Sequence, residues 1–179
     1  IITGADMVGM EVTVTYESGL FETKTWEMES LGNGLIDTLN LETAIGGVTG
    51  DGFILKQQGD SLGNLDNNGT VGNSSDDTFF GLWTLTNTSS ETITELFVNA
   101  IAGNVVFDTL FNTGAANGSG LGRAFDSPIS GPTAVYSDLY LDELYGAMTV
   151  TLSLESDASI TFFADTDLVA VSTPASLSI

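Results

Sequence analysis

The stretch NLDNNGTV, residues 64–71, places Asn64, Asp66 and Asn68 at alternate positions ahead of Gly69, Thr70 and Val71. Calcium loops use this pattern: side-chain oxygens at spacing two, a glycine for the sharp bend, then a residue that lends its backbone carbonyl. The match is partial. Asn64 stands where such loops carry Asp, and Ser75 falls where a bidentate Glu belongs, leaving Asp76 and Asp77 as the carboxylates within reach. Asn64, Asp66, Asn68, Asp76 and Asp77 are therefore the calcium candidates, set against the plainer reading of a solvated Asn- and Gly-rich loop. A second pair, Asp165 and Asp167 in FFADTD, also has spacing two. On a strand that spacing puts both carboxylates on one face, able to share a cation. A solvated strand end is the reading the sequence favours there.

Other chemistry is thin. With no cysteine and no histidine, the chain lacks thiolate nucleophiles, imidazole bases and the usual zinc and copper ligands. A Ser-x-x-Lys arrangement fails because Phe21 and Phe53 stand three residues before Lys24 and Lys56. Paired carboxylates for glycoside hydrolysis cannot be singled out among 24 acidic residues. The expectation is a protein that is not an enzyme. Aromatic faces suit the apolar side of a sugar ring. Trp26 and Trp83 lie within strand-like segments and are expected in the core, which leaves Tyr140 and Tyr145 as the glycan-contact candidates.

Composition limits the partners. Lys24, Lys56 and Arg123 are the only basic residues, and the formal net charge is −21. Nucleic-acid binding through clustered Lys and Arg is excluded, and an anionic membrane surface is repelled. Cations, neutral sugars and other proteins, including further copies of the chain, remain. A hydrophobic fraction of 42% over 179 residues suffices for one well-filled domain. The chain opens Ile-Ile-Thr and closes SLSI with no apolar run long enough to span a membrane as a helix. It reads as a mature segment, exported through a signal peptide since removed.

The elements that must position these residues are strands. VGMEVTVTY puts Val8, Met10, Val12, Val14 and Tyr16 on one face, and AMTVTLSLES repeats the device with Met148, Val150, Leu152 and Leu154. LFETKTWEM reads as a return strand after Ser18-Gly19. WTLTNTSSETITELFV reads as a hairpin turning on Asn87-Thr88-Ser89-Ser90. Val105, Phe107 and Phe111 mark a further strand, and SITFFAD another. Residues 59–77, 112–122 and 127–131 read as loops, and SDLYLDELYG as one or two helical turns capped by Ser137. Many short strands with Gly-rich turns predict an all-β, antiparallel sandwich of jelly-roll kind.

The stretches ADMVGMEVTVTY, WTLTNTSSETITELFVNAIAGNVVFDTLF and FFADTDLVAVSTPASLSI together resemble the PEP-CTERM class of exported proteins from exopolysaccharide-producing Gram-negative bacteria. Thr173-Pro174-Ala175 stands where that class has Pro-Glu-Pro, and its anchor helix and basic tail are absent from the sequence. The resemblance implies a secreted or surface protein of a biofilm matrix and no catalytic residue. The functional expectation is a structural subunit that assembles into fibres by strand addition through its apolar ends. Ile1, Ile2, Leu168, Val169, Val171 and Ile179 are the candidate contacts. The alternative is a calcium-assisted polysaccharide-binding module.

Overall fold

Alternation in the sequence becomes alternation in space. In EVTVTY, Val12, Val14 and Tyr16 are buried, while Glu11 is exposed and Thr13 and Thr15 are half-buried. The computed structural model describes residues 2–31, 44–66, 78–110 and 122–169. Within them the strands run β1 (Glu11–Tyr16), β2 (Phe21–Thr25), β3 (Glu27–Leu31), β4 (Ala44–Thr49), β5 (Phe53–Gln58), β6 (Asn64–Asp66) and β7 (Thr78–Phe80). They continue with β8 (Trp83–Asn87), β9 (Ile93–Asn99), β10 (Val105–Asp108), β11 (Thr133–Leu141), β12 (Leu144–Leu154), β13 (Ser159–Phe162) and β14 (Thr166–Leu168). The only helical pieces among the described residues are 3₁₀ turns at Gly4–Asp6 and Ile101–Gly103. No helix there is long and apolar enough to cross a membrane.

Two antiparallel sheets pack face to face, as the strand pattern predicts. One has the order β14-β10-β12-β9-β1-β2, with β11 also paired to β12. The other has the order β13-β8-β5-β4-β3, and β6 pairs with β7 in a small separate ribbon. One apolar core lies between the sheets, filled from one side by Val12, Leu96, Phe107 and Met148 and from the other by Phe53, Leu55, Trp83 and Phe162. The Trp83 ring stacks on Phe162 at 5.8 Å and meets Phe107 of the opposite sheet at 6.2 Å. Both tryptophan N–H groups are satisfied inside: Trp26 Nε1 donates to Gly4 O at 2.7 Å and Trp83 Nε1 to Ala164 O at 3.0 Å. A buried indole needs such a partner.

Several local expectations are corrected. The segment read as a hairpin over residues 83–98 is a crossing: β8 pairs with β5 and β13 in one sheet, β9 with β1 and β12 in the other. Alternation shows that a strand has one buried face, and both strands bury theirs in the same core from opposite sides. LFETKTWEM likewise changes sheets. β2 edges the first sheet and β3 the second, with the fully buried Trp26 at the corner. SDLYLDELYG is not helical; it forms the β11–β12 hairpin, with Asp142 at a positive φ of 50° in the tight turn. Val8 lies in the turn ahead of β1 and is 53% exposed, so the apolar face of that segment begins at Met10. The tract 59–77 holds a strand, β6, within its supposed loop.

Candidate metal centre

Strand register brings Asp108 and Asp165 together. β10 and β14 pair Val105 with Leu168, Val106 with Asp167 and Phe107 with Thr166. One step further, Asp108 N donates to Asp165 O at 3.1 Å. Asp167 follows Asp165 by two, and a residue two along a strand returns to the same side. The carboxyl groups of Asp108, Asp165 and Asp167 accordingly converge, each offering an oxygen within 4.8 Å of the others. Asp108 and Asp165 are buried and Asp167 is half-buried. Residues 122–123 close one flank: Arg123 N donates to Asp108 O, and Asp165 N donates to Arg123 O. A side chain at Gly122 would run into the Asp108 carboxyl.

Ser61 closes another flank. It is fully buried and accepts from Thr166 N at 3.0 Å and Thr166 Oγ1 at 2.8 Å. With both lone pairs occupied, its own proton is shared between Asp165 Oδ1, 3.1 Å away, and Thr166 O, 3.3 Å away. The serine is positioned by the chain start, since Ser61 N donates to Ile2 O at 2.8 Å and Thr3 bridges Asp60. Asp167 Oδ2 is buried without a hydrogen-bond partner.

Like charges at this range cannot all persist in a buried setting. Burial, then the Asp167 charge, pushes the Asp165 carboxyl up to about 8, against an opposing contribution from the Ser61 hydrogen bond. Burial, followed by the charge and hydrogen bond of Asp108, pushes Asp167 up to about 7. Near neutrality the cluster therefore retains protons unless a cation replaces them. Three converging oxygens are the donor set of a hard cation. Oxygens no more than 4.8 Å apart lie within the reach of a calcium ion.

The sequence favours a solvated strand end for Asp165 and Asp167; the burial of Asp165 and half-burial of Asp167 correct that, and no local signal marks their third partner. Asp108 is 57 residues from Asp165, and nothing local in VVFD marks it. Of the calcium-loop candidates, Asn64 and Asp66 fall on β6, paired with Phe80 and Thr78, while Asn68, Asp76 and Asp77 lie outside the described residues. Tyr145 packs at 5.6 Å against Tyr136, which in turn meets Phe107, so its ring extends the aromatic core. Tyr140 is exposed on β11. Among the apolar-end candidates, Ile2 packs on its own core, Leu168 pairs with Val105, and Val169 N donates to Asn104 O at 2.8 Å. Ile1, Val171 and Ile179 lie outside the described residues. No protein-family model matches the chain, and comparisons with curated proteins and with solved structures find no match either.

Proposed function

We propose that the chain is a non-enzymatic extracellular β-sandwich module that holds a calcium-class cation at Asp108, Asp165 and Asp167, as a structural component of a surface or biofilm matrix. The observation that carries this reading is the convergence of three carboxylates within 4.8 Å. It is supported by the buried Asp167 Oδ2, which lacks a hydrogen-bond partner. A divalent ion would supply that partner and offset the mutual repulsion. It would also tie together positions near 61, 108, 122 and 165, which are remote in sequence. The extracellular setting rests on the resemblance to exported proteins, and extracellular calcium modules bind at roughly 10⁻⁴–10⁻³ M.

Calorimetric titration with calcium chloride between pH 7 and 8.5 tests it, with magnesium chloride and chelator as controls. For a site of that affinity, 10 mM calcium stabilises by about 1.4–2.7 kcal/mol. In a domain of this size that is a rise in melting temperature of about 3–10 °C. Absence of both heat and thermal shift at 10 mM calcium would overturn the reading.

Assembly has its own supporting observation, located on an edge strand instead of the chain ends. Among the described residues β11 borders its sheet with β12 as its one partner, and it exposes Val135 (68%) and Leu139 (63%) on either side of Ser137. Antiparallel pairing of two β11 strands centred on Ser137 would set Val135 of each copy opposite Leu139 of the other. Asp138, the charge nearest that centre, has its carboxyl over Gly146 of β12. Sedimentation of wild type against V135K/L139K tests the reading: a concentration-dependent association that the lysines abolish supports it, and a wild-type monomer at every concentration overturns it.

A further inference from the structure

Two of the three basic side chains in this acidic protein line a single cleft. It has a volume of about 310 Å³ and lies at the seam where β2 passes into β3. Lys24 comes from the first sheet and Lys56 from the second. The cleft floor follows from cross-strand register: Glu27 stands beside Gly47, and Gly47 beside Lys56, in one row across β3, β4 and β5. Gly47 leaves a gap in that row. A carboxylate borders the gap on one side and an ammonium on the other, two strand spacings or about 9.6 Å apart at the backbone. Lys24 reaches the same place from its edge strand. Its partner Val12 points into the core, so Lys24 projects toward the inter-sheet side and meets the margin of the second sheet.

The polar groups are balanced. Lys56 Nζ sits 2.6 Å from Glu29 Oε1, the one ion pair among the described residues. That contact orients both groups while leaving Lys56 two further N–H donors and Glu29 unused acceptor positions. Counting Lys24 and Glu27, the cleft carries two positive and two negative side chains. The net charge of −21 repels an anion, and a cleft whose own charges cancel and whose donors and acceptors alternate matches a neutral polyhydroxyl ligand. Elsewhere an acidic face offers mainly acceptors, whereas here strong donors and acceptors stand side by side. Vicinal ring hydroxyls, each both donor and acceptor, match an adjacent ammonium and carboxylate. Met28 adds an exposed apolar contact for the ring's C–H face.

We infer that the cleft between Lys24, Glu27, Gly47 and Lys56 is a binding site for a neutral oligosaccharide. It shares no residue with the carboxylate cluster, so it stands or falls apart from the cation site. The test is calorimetric titration of the full chain with cello-, xylo-, laminari- and mannohexaose, with an alginate hexamer and an uncharged hexapeptide as contrasts, in the presence of chelator. At least one neutral hexaose is expected to bind, and K56M and K24M are each expected to weaken it tenfold or more without changing the melting temperature by more than a few degrees. The inference is overturned if no neutral hexaose binds, if only alginate or the peptide binds, or if binding survives both lysine substitutions. Substitution of Gly47 is a poor probe, because a side chain there also crowds Leu55 O.

Discussion

Asp108 and Asp165 face each other across paired strands, joined at the backbone by a hydrogen bond of 3.1 Å and opposed at the side chain by like charge. Directly opposed like charges destabilise a sheet. Stability in chelator should therefore depend on pH in a direction unusual for a carboxylate. Asp165 and Asp167 have folded-state values near 8 and 7, above the ordinary carboxylate value of 3.8. The folded protein then binds more protons than the unfolded chain between about pH 4 and pH 8. The contribution of this cluster is complete below pH 4 and is lost as pH rises through 7 and 8. A melting temperature that falls across pH 5–8.5 in chelator, and falls less in 10 mM calcium, is the expected outcome. A profile unaffected by calcium would contradict it.

Cation binding should also release protons. At pH 7 the two raised carboxyls hold about one to two protons between them, which an incoming divalent ion must displace. Calcium titrations in buffers of different ionisation enthalpy should give heats that differ accordingly. D165N should abolish the calcium response and flatten the pH profile. Because it removes one of three mutually repelling charges, it should leave the protein more stable than wild type at pH 8 without calcium. D108N should behave in the same way. A variant that unfolds at pH 8 instead would assign the cluster a purely structural role.

Much of this architecture is legible from alternation alone, and what alternation cannot reveal is sheet membership. EVTVTY and LYGAMTVTLSL bury the residues their period selects. The same period describes β8 and β9 equally well whether they pair with each other or face each other across a core. SDLYLDELYG misleads because Tyr140, Leu141, Leu144 and Tyr145 stand at the i, i+1, i+4, i+5 spacing of a helical face, while the chain uses Asp142 to turn tightly between strands. Asp165 and Asp167 were readable as a pair because their relation is local. Asp108 and Ser61 were not, since only the pairing of β10 with β14 and the placement of Ile2 on Ser61 bring them in.

The crossing from β8 to β9 depends on one buried side chain. Asn87 Nδ2 donates to Glu91 O at 2.6 Å and Leu154 O at 2.9 Å, and its Oδ1 accepts from Ser89 N at 2.9 Å. Asn87→Ala leaves Leu154 O without this donor in a buried place and should cost about 2–4 kcal/mol. In a domain of this size that lowers the melting temperature by on the order of 10 °C. Asn87→Asp keeps the acceptor, loses the donor and adds a charge to the core, so it should be worse than alanine. Thermal denaturation of the two variants side by side checks the order. If aspartate proves milder than alanine, the donor side of the amide is not what holds the crossing.

The corner at Trp26 makes the last prediction. Trp26 N donates to Met10 O at 2.7 Å and its indole N–H to Gly4 O at the same distance, so one residue fastens the sheet-switching ribbon to the chain start. Gly46 of β4 lies against both partners of the indole bond, and a methyl group there would collide with Gly4 O and with Trp26 Nε1. Gly46→Ala cannot be absorbed by moving a flexible side-chain tip, because one obstacle is backbone. Overpacking of this kind costs about 1–3 kcal/mol, and loss of the buried indole bond adds about 1–3 kcal/mol more. Trp26→Phe keeps most of the ring, removes the N–H and should leave Gly4 O unpaired, for a smaller loss. Intrinsic fluorescence should separate the two. Gly46→Ala should shift the Trp26 emission to the red as the corner opens, and an unshifted spectrum with unchanged stability would mean that β4 can move away from Gly4 without cost.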